Sequence, residues 1–373
     1  MLSISQARKL AKRLILGAVE IPQQCPVGMH EPQAEIAVWL HSSGTPRDVT
    51  FRHLMACGAP FTIAVAIEDD WRPPAFASSW LSLQFRSRQR GERLLGEIAL
   101  KPSGHVDVDG RRLQLFQVGS SRNYCMPALR LWAHYLLYAY RRSQMPPPEV
   151  PITEQETRAM IVFYSAPRPV VLVSVTHDTR VNIFPMNLLG AVGPEHFAFA
   201  LNSRTPVSAL VERSGFVALS SIPIEQAAVA FQLGKNHRRD SMNWKEVGFG
   251  TMPSSYLALP VPDFALRVRE MRVEAAHQLG SHTLFLARTI AVEDRNDAPG
   301  FFMVHGIYQT WRAKNLKQGT EGDDKKCSAD LRPGKSPQLS FPVAANCAYH
   351  FPDSLTVRFN VRKSTKTNPK RCE

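Results

Sequence analysis

The sequence predicts a mainly β protein with some α-helix, divided into three parts. Short β-rich segments separated by turn residues follow one another between residues 160 and 312, without the long alternating helices of a parallel sheet. Four prolines fall between Met145 and Pro151, and they indicate a linker because proline favours extended backbone and lacks an amide donor. After Arg312 the sequence becomes polar. We therefore expect an N-terminal α+β domain of unknown type at 1–150, a β-domain at 151–312 and a basic, largely disordered tail at 313–373.

Composition sets limits on the function. The chain has 373 residues, 44% of them hydrophobic, and a net charge of +13. The basic excess lies at the two ends, whereas a nucleic-acid enzyme usually places it on the working domain, so nucleic-acid binding rests on net charge alone. No apolar run approaches the ~20 residues of a membrane helix. The six cysteines show no C-x-x-C or zinc spacing, so we expect thiols in a reducing cytoplasm and no metal site.

Residues 35–150 read as strands followed by one helix. Asp109 and Gly110 form a hairpin-type dipeptide between two of the strands. Apolar residues recur at three- and four-residue spacing from Pro127 to Arg142, which predicts a helix. The predicted strands are Phe61–Glu68, Trp80–Phe85, Arg93–Leu100 and Arg112–Val118.

Residues 160–312 read as a series of short strands, and their number and spacing predict a barrel or a sandwich. Two segments interrupt the series as helices, Pro206–Arg213 and Ile224–Leu233. The predicted strands are Val170–Val175, Phe197–Leu201, Phe216–Ser220, Tyr256–Pro260, Ala265–Val273, Leu284–Val292 and Phe301–Tyr308.

Five segments of the middle region form a specific set in a fixed order. They are Pro169–Thr176, Asn182–Asn187 with the pattern N-x-x-P-x-N, Asn202–Thr205, Glu212–Leu219 and Leu279–Phe285. In order and spacing they resemble the flavin reductase-like, FMN-binding split-barrel family over residues 157–312. We identify no family for residues 1–150.

The resemblance implies an antiparallel Greek-key split β-barrel that is homodimeric and holds FMN near the subunit interface. It also implies an oxidoreductase that uses NADH or NADPH to reduce the flavin, and it leaves the choice between them open. The reduced flavin is then used in place or passed to a partner monooxygenase. A non-enzymatic FMN-binding electron carrier or sensor is the alternative, and it depends on whether the site leaves room for a nicotinamide.

The FMN phosphate requires hydroxyls, amide groups and a cation. Ser203, Arg204 and Thr205 supply such groups directly before the helix predicted from Pro206, where the helix dipole favours an anion. Ser208 lies one turn inside that helix. The alternative is an exposed helix cap with no ligand.

The polar edge of the flavin ring requires amide-type donors and acceptors. Asn182 and Asn187, with the backbone around Pro185 and Met186, are the candidates, although both asparagines are also residues that shape turns. His282 is the catalytic candidate, expected at the mouth of the pocket and able to change charge near neutral pH; the alternative is a structural barrel histidine.

The chain departs from the family pattern at three places. It has Thr179–Val181 where many relatives have a glycine, Asn187 where Ser or Thr is common, and Ser281 where Asp is usual. The first two bear on contacts to the flavin edge, and the third bears on the orientation of His282.

Overall fold

The computed structural model describes residues 21–42, 45–67, 81–89, 91–144, 151–243 and 247–316. The predicted linker core at 145–150 and the predicted disordered tail beyond residue 316 lie outside the described residues. No helix within these ranges is long and apolar enough to cross a membrane.

The described residues form nineteen strands and five α-helices. In chain order the first part contains β1 Cys25–Met29, β2 Ile36–His41, β3 Arg47–Asp48, β4 His53–Gly58, β5 Phe61–Ile67, β6 Ser82–Ser87, β7 Leu94–Val108, β8 Arg111–Asn123, α1 Ala128–Ser143 and α2 Glu154–Phe163. The second part contains β9 Arg168–Pro169, β10 Val171–His177, β11 Arg180–Met186, β12 Leu189–Ala191, β13 His196–Asn202, α3 Pro206–Ser214, β14 Phe216–Ser221, α4 Ala227–Leu233, β15 Thr251–Pro253, β16 Pro260–Pro262, β17 Arg267–Leu279, β18 His282–Asp294, β19 Gly300–Val304 and α5 Gly306–Leu316.

The first large sheet has seven antiparallel strands in the order β3-β2-β6-β7-β8-β5-β4. Its long β7–β8 hairpin turns at Asp109 and Gly110, both of which have positive φ, as the predicted dipeptide requires. The edge strands β3 and β4 are joined by residues 49–52 alone. Four residues span at most ~14 Å, so the two edges of the sheet approach each other and the sheet curls.

The second large sheet also has seven antiparallel strands, in the order β11-β10-β14-β17-β18-β13-β12. Its edge strands β11 and β12 are joined by Asn187 and Leu188 alone, so this sheet curls as well. Helix α3 fills the inside of the curl, where Val207, Leu210 and Val211 join the cluster of strand side chains. The mainly β, split-barrel prediction is confirmed.

The second sheet is buried on both faces because its strands alternate between two apolar clusters. Val173, Phe199 and Phe285 point into the curl against α3. Residues on the opposite face of the sheet, among them Leu284 and Leu286, belong to a larger core that includes side chains of the first sheet. One hydrophobic core therefore runs through both halves of the chain.

Helix α2 lies on the first sheet although it directly precedes the second sheet in sequence. It begins with a capping box between Thr153 and Glu156. At its end the Phe163 ring packs edge-on against Phe61 and Phe85, with centroids 5.8 and 6.4 Å away. No helix is predicted at this position from the sequence.

Most predicted elements are confirmed, with three differences. The predicted strand Tyr256–Pro260 is mostly a turn, because the Glu270 carboxylate binds the backbone there. The predicted strand Phe301–Tyr308 ends at Val304, and α5 begins at Gly306. The N-x-x-P segment, for which a turn was the alternative to a flavin contact, lies in the strand β11.

Candidate functional site

The turn after β13 is held by Asn202. Its side-chain oxygen accepts from the Arg204 N–H at 3.0 Å, and its carbonyl accepts from the Thr205 N–H at 3.0 Å and from Thr205 Oγ1 at 2.6 Å. Thr205 is the N-cap of α3. Pro206, the first residue of the helix, has no N–H, and the Ser208 N–H donates to the Thr205 carbonyl at 3.1 Å. The Arg204 side chain is exposed and has no acidic partner among the described residues.

The β17–β18 hairpin turn lies directly beside this turn. Asn202 pairs with His282 at the ends of β13 and β18. The Ser203 amide and hydroxyl both donate to the Ser281 carbonyl at 3.2 Å. The side-chain amide of Gln278 donates to Ser203 Oγ at 3.1 Å and to the Gly280 carbonyl at 2.8 Å. The predicted phosphate turn and His282 therefore form one hydrogen-bonded unit.

His282 is fully buried rather than exposed at a pocket mouth. It lies on the same face of β18 as Leu284 and Leu286, and this face is turned to the first half of the chain. Its Nδ1 lies 2.8 Å from Ser281 Oγ and 3.4 Å from the amide nitrogen of Gly58.

The hydrogen bonds around His282 define the position of its proton. The Ala59 N–H donates to Ser281 Oγ at 3.0 Å, which leaves the Ser281 hydroxyl proton for Nδ1 of His282. Because the Gly58 N–H also points to Nδ1, this nitrogen is an acceptor, and the ring proton is assigned to Nε2. Burial lowers the pKa of His282 to about 4. The ring is therefore neutral at pH 7, and the expected change of charge near neutral pH does not occur.

The candidates on β11 are engaged with the protein. Asn182 is buried, and its amide donates to the carbonyls of Asn236 and Arg239 at 3.1 and 2.8 Å. His237 Nε2 donates to the Pro185 carbonyl at 2.7 Å, and burial lowers the pKa of His237 to about 4. These bonds attach the basic segment Gly234–Arg238, a 3₁₀-helix, to the strand.

The remaining candidates are also buried. The Met186 side chain packs inside the curl of the second sheet. The Asn187 amide donates to the Tyr164 hydroxyl at 3.2 Å. Ser208 is buried within α3.

The structure brings some of these residues to one end of the second sheet. The Ala200 N–H donates to the Leu188 carbonyl at 2.9 Å and continues the β12–β13 pairing beyond β12. Asn187 therefore approaches the end where Asn202 pairs with His282. Asn182 lies four residues before Met186, about 13 Å away along β11, and belongs to a different neighbourhood.

Residues of the first half, none of them predicted from the sequence, also reach this site. Gly58 ends β4, Ala59 begins the β4–β5 turn, and the thiol of Cys57 lies 3.6 Å from Ser281 Oγ. These contacts join residues more than two hundred positions apart. No local sequence pattern signals such contacts, because they arise from the packing of one half on the other.

Comparison with known proteins identifies a family that resembles the second half of the chain. Residues 163–312 match the family model of the flavin reductase like domain. A search of curated proteins gave no match.

Several solved structures are similar to part of the chain. An FMN-binding protein from Thermus thermophilus is 21% identical, with 34% of this chain and 71% of that chain covered and a TM-score of 0.30. An NADH:FAD oxidoreductase of Streptomyces globisporus is 16% identical, with coverages of 43% and 95% and a TM-score of 0.37. Nitrilotriacetate monooxygenase component B from Mycobacterium thermoresistibile is 16% identical, with coverages of 50% and 98% and a TM-score of 0.35.

The matched range contains the second curled sheet, the turn at Asn202–Thr205 and the hairpin that carries His282. It excludes the whole of the first sheet. Residues 163–312 of this chain are therefore similar to the flavin reductase like domain family.

Proposed function

We propose that the chain is an oxidoreductase of the flavin reductase type that binds FMN at the end of the second sheet. The observation that carries the proposal is the exposed Arg204 on a turn that Asn202 holds at the start of α3. A cation beside a helix N-terminus suits a phosphate, because a charge-assisted hydrogen bond and the helix dipole act on the same anion.

The predicted phosphate ligands differ in whether their donor groups are free to bind a phosphate. The Arg204 side chain is available, whereas Pro206 has no N–H and the Ser208 N–H already donates to the Thr205 carbonyl at 3.1 Å. The hydroxyls of Ser203 and Thr205 already donate to carbonyls, so each would exchange a protein acceptor for a phosphate oxygen. Ser208 is buried, so we assign it to packing rather than to the ligand.

The structure also narrows the set of residues that we propose around the polar edge of the flavin ring. Asn187, the backbone at Pro185 and Met186, and His282 would surround the polar edge of the ring. In its neutral form with the proton on Nε2, His282 offers a hydrogen-bond donor without a net charge. We assign Asn182 a positioning role, because its side chain holds the Gly234–Arg238 segment against β11 and does not reach this end of the sheet.

FMN, when bound, supplies a ring that accepts a hydride from NADH or NADPH at N5. The chain holds the phosphate through Arg204 and orients the polar edge through His282. No side chain is required as a general base, because hydride transfer to N5 removes no proton. We include the supply of reduced flavin to a partner monooxygenase in the proposal, as the family resemblance implies.

One observation favours the alternative of a non-enzymatic FMN-binding electron carrier or sensor. His282 lies beneath Gly58 and Ala59 and has no exposed surface, which restricts access at that point. Such a protein would bind FMN and leave it oxidised in the presence of a nicotinamide nucleotide.

The deciding experiment uses the full chain. The purified protein is examined for a flavin absorbance spectrum, titrated with FMN and with riboflavin, and then mixed anaerobically with NADH or NADPH. We expect tighter binding of FMN than of riboflavin, and bleaching of the flavin by one of the two nucleotides. Binding without bleaching supports the carrier, and equal affinities for the two flavins would contradict a phosphate site at Arg204.

A further inference from the structure

The two large sheets have the same topology. When the strands of each sheet are numbered one to seven along the chain, both sheets read 2-1-5-6-7-4-3. All six neighbour pairings correspond and all are antiparallel. In both sheets the sixth and seventh strands form the longest hairpin, closed by a two-residue turn at Asp109-Gly110 or Gly280-Ser281.

The contacts between the two sheets are reciprocal. The turn between the third and fourth strands of the first sheet packs on the long hairpin of the second, where the Ser281 N–H donates to the Ala59 carbonyl at 3.0 Å. The corresponding turn of the second sheet contains Gly193, where an added Cβ would lie 3.0 Å from Nε of Arg111, the first residue of β8.

The two third strands also face each other. A Cβ added at Gly190 of β12 would lie 3.1 Å from the Cβ of Leu54 of β4. Contact of a strand with its own counterpart, flanked by two equivalent turn-on-hairpin contacts, is the pattern of an isologous two-fold interface. The two halves of this chain therefore pack as two subunits related by a two-fold axis would.

The two halves differ at the positions that carry the proposed site. The first residue of the seventh strand is His282 in the second half and Arg111 in the first. The sequence that follows the fourth strand is Ser203-Arg204-Thr205 in the second half but Glu68-Asp69-Asp70 in the first. Three acidic residues oppose the binding of a phosphate.

We infer that residues 36–123 are a second copy of the split-barrel fold that serves as an intramolecular partner. One chain then forms a pseudo-two-fold pair with a single flavin site between its halves, and Cys57–Pro60 build the wall that faces His282. The single flavin site, which is the flavin part of this inference, rests on the proposed function. The pairing of the two halves within one chain, which is the assembly part, does not. The chain has no need of the second subunit that the resemblance implies.

The arrangement within one chain is tested by a cross-link between the halves. Ser281→Cys places a thiol opposite the buried Cys57, whose sulfur lies 3.6 Å from Ser281 Oγ in the native protein. We expect mild oxidation of the full chain to give a disulfide-linked peptide pair while the protein still migrates as a single chain on a non-reducing denaturing gel. The control is the variant with Cys57→Ser in addition, which should give no such pair.

A cross-linked band at twice the chain mass that the control lacks would show that the halves pack between two chains, and it would overturn the inference. Absence of the cross-link in folded protein would overturn it as well. The unmodified protein provides an independent measurement, because its mass in solution should be that of one 41.8 kDa chain. A stable dimer would contradict the claim that no second subunit is needed.

The number of flavins tests the single site. We expect one FMN for each chain at saturation, and two would contradict the assignment of the first half as a non-binding copy. If no FMN binds, the proposed function and the flavin part fail, while the mass and the cross-link still decide the assembly part.

Discussion

Ala59 and Ser281 hydrogen-bond to each other in both directions, from opposite halves of the chain. The Ser281 N–H donates to the Ala59 carbonyl at 3.0 Å, and the Ala59 N–H donates to Ser281 Oγ at 3.0 Å. The second bond fixes the Ser281 hydroxyl so that its proton points to His282. Packing of the two halves thus sets the tautomer of the histidine that we propose as a flavin contact.

Replacement of Ser281 by alanine should therefore impair two properties. The Ala59 N–H loses its acceptor, so we expect a loss of about 1–3 kcal/mol in the free energy of unfolding. His282 loses a donor at Nδ1, so flavin reduction should also be slower per folded molecule. Thermal melts and stopped-flow reduction of the FMN-loaded variant measure the two effects, and an unchanged rate would remove Ser281 from the positioning of His282.

The side chain of His282 can be tested by amides that keep one of its nitrogens. Glutamine places its NH₂ group near the position of Nε2, and asparagine places a polar atom near Nδ1. If the Nε2–H is the useful donor, His282→Gln should retain more of the reduction rate than His282→Asn, with similar melting temperatures. Equal rates in the two variants would argue that His282 only fills space.

Arg204→Ala should weaken FMN binding and spare riboflavin binding. Loss of a charged hydrogen bond costs about 1.5–3 kcal/mol, or roughly 10- to 150-fold in the dissociation constant. Arg213→Ala is the matched control, because Arg213 is also exposed but lies in the last turn of α3. Titration by fluorescence quenching gives the constants; equal losses in both variants would indicate a nonspecific charge effect.

Buried histidines should make the protein sensitive to acid. Burial lowers the pKa of both His237 and His282 to about 4, below the value of about 6.5 expected in the unfolded chain. The unfolded chain therefore binds more protons below pH 6.5, and the free energy of unfolding should fall as the pH drops from 6.5 to 4. Denaturant unfolding at several pH values measures the slope.

A variant at His237 tests the origin of this slope. His237→Gln retains a donor for the Pro185 carbonyl and does not titrate. We expect a shallower slope for this variant than for the wild type, by up to one proton. The same slope in both proteins would mean that His237 makes no contribution.

Glu270 should stabilise the loop that replaces the predicted strand at Tyr256–Pro260. Its carboxylate accepts from the hydroxyls of Ser254 and Ser255 and from the amides of Tyr256 and Leu257. Burial raises the pKa of Glu270, but these four donors outweigh that effect, so its pKa lies below the ordinary value. The stabilisation is present above the unfolded pKa of about 4.5 and is lost as the pH falls through the folded value.

Glu270→Gln should lower the free energy of unfolding by about 2 kcal/mol at pH 7, because an amide offers one acceptor oxygen to these donors instead of two. The control is Glu212→Gln on the exposed face of α3, for which we expect a change within about 0.5 kcal/mol. Urea unfolding at pH 7 compares them, and equal stabilities of the two variants would contradict the role of Glu270.

The sequence alone predicts the second sheet better than the first. Alternating apolar residues and the ordered segments from Pro169 to Phe285 predict the split barrel, but they do not predict the burial of His282. The first sheet contains the two-residue strand β3, and its shared topology depends on pairings between strands distant in the sequence. Such pairings leave no periodic pattern in a single sequence.

The surroundings of the candidate site cannot be predicted from the sequence for the same reason. Residue types near a turn indicate what could bind a phosphate, so the hypothesis for Arg204 comes from the sequence. Burial of His282 and the bonds of Asn182 depend on partners 224 and 54 positions away. Their effect on pKa and hydrogen bonding appears only when the packing is known.

The end of α1 is attached to the start of α2, around the proline-rich segment. Arg142 donates to Thr157 Oγ1 at 3.2 Å and to the Ile152 carbonyl. A short connection between two packed halves gives each a local concentration in the millimolar range or above. A site divided between separate chains is lost on dilution, whereas this one would form at any protein concentration, with first-order kinetics.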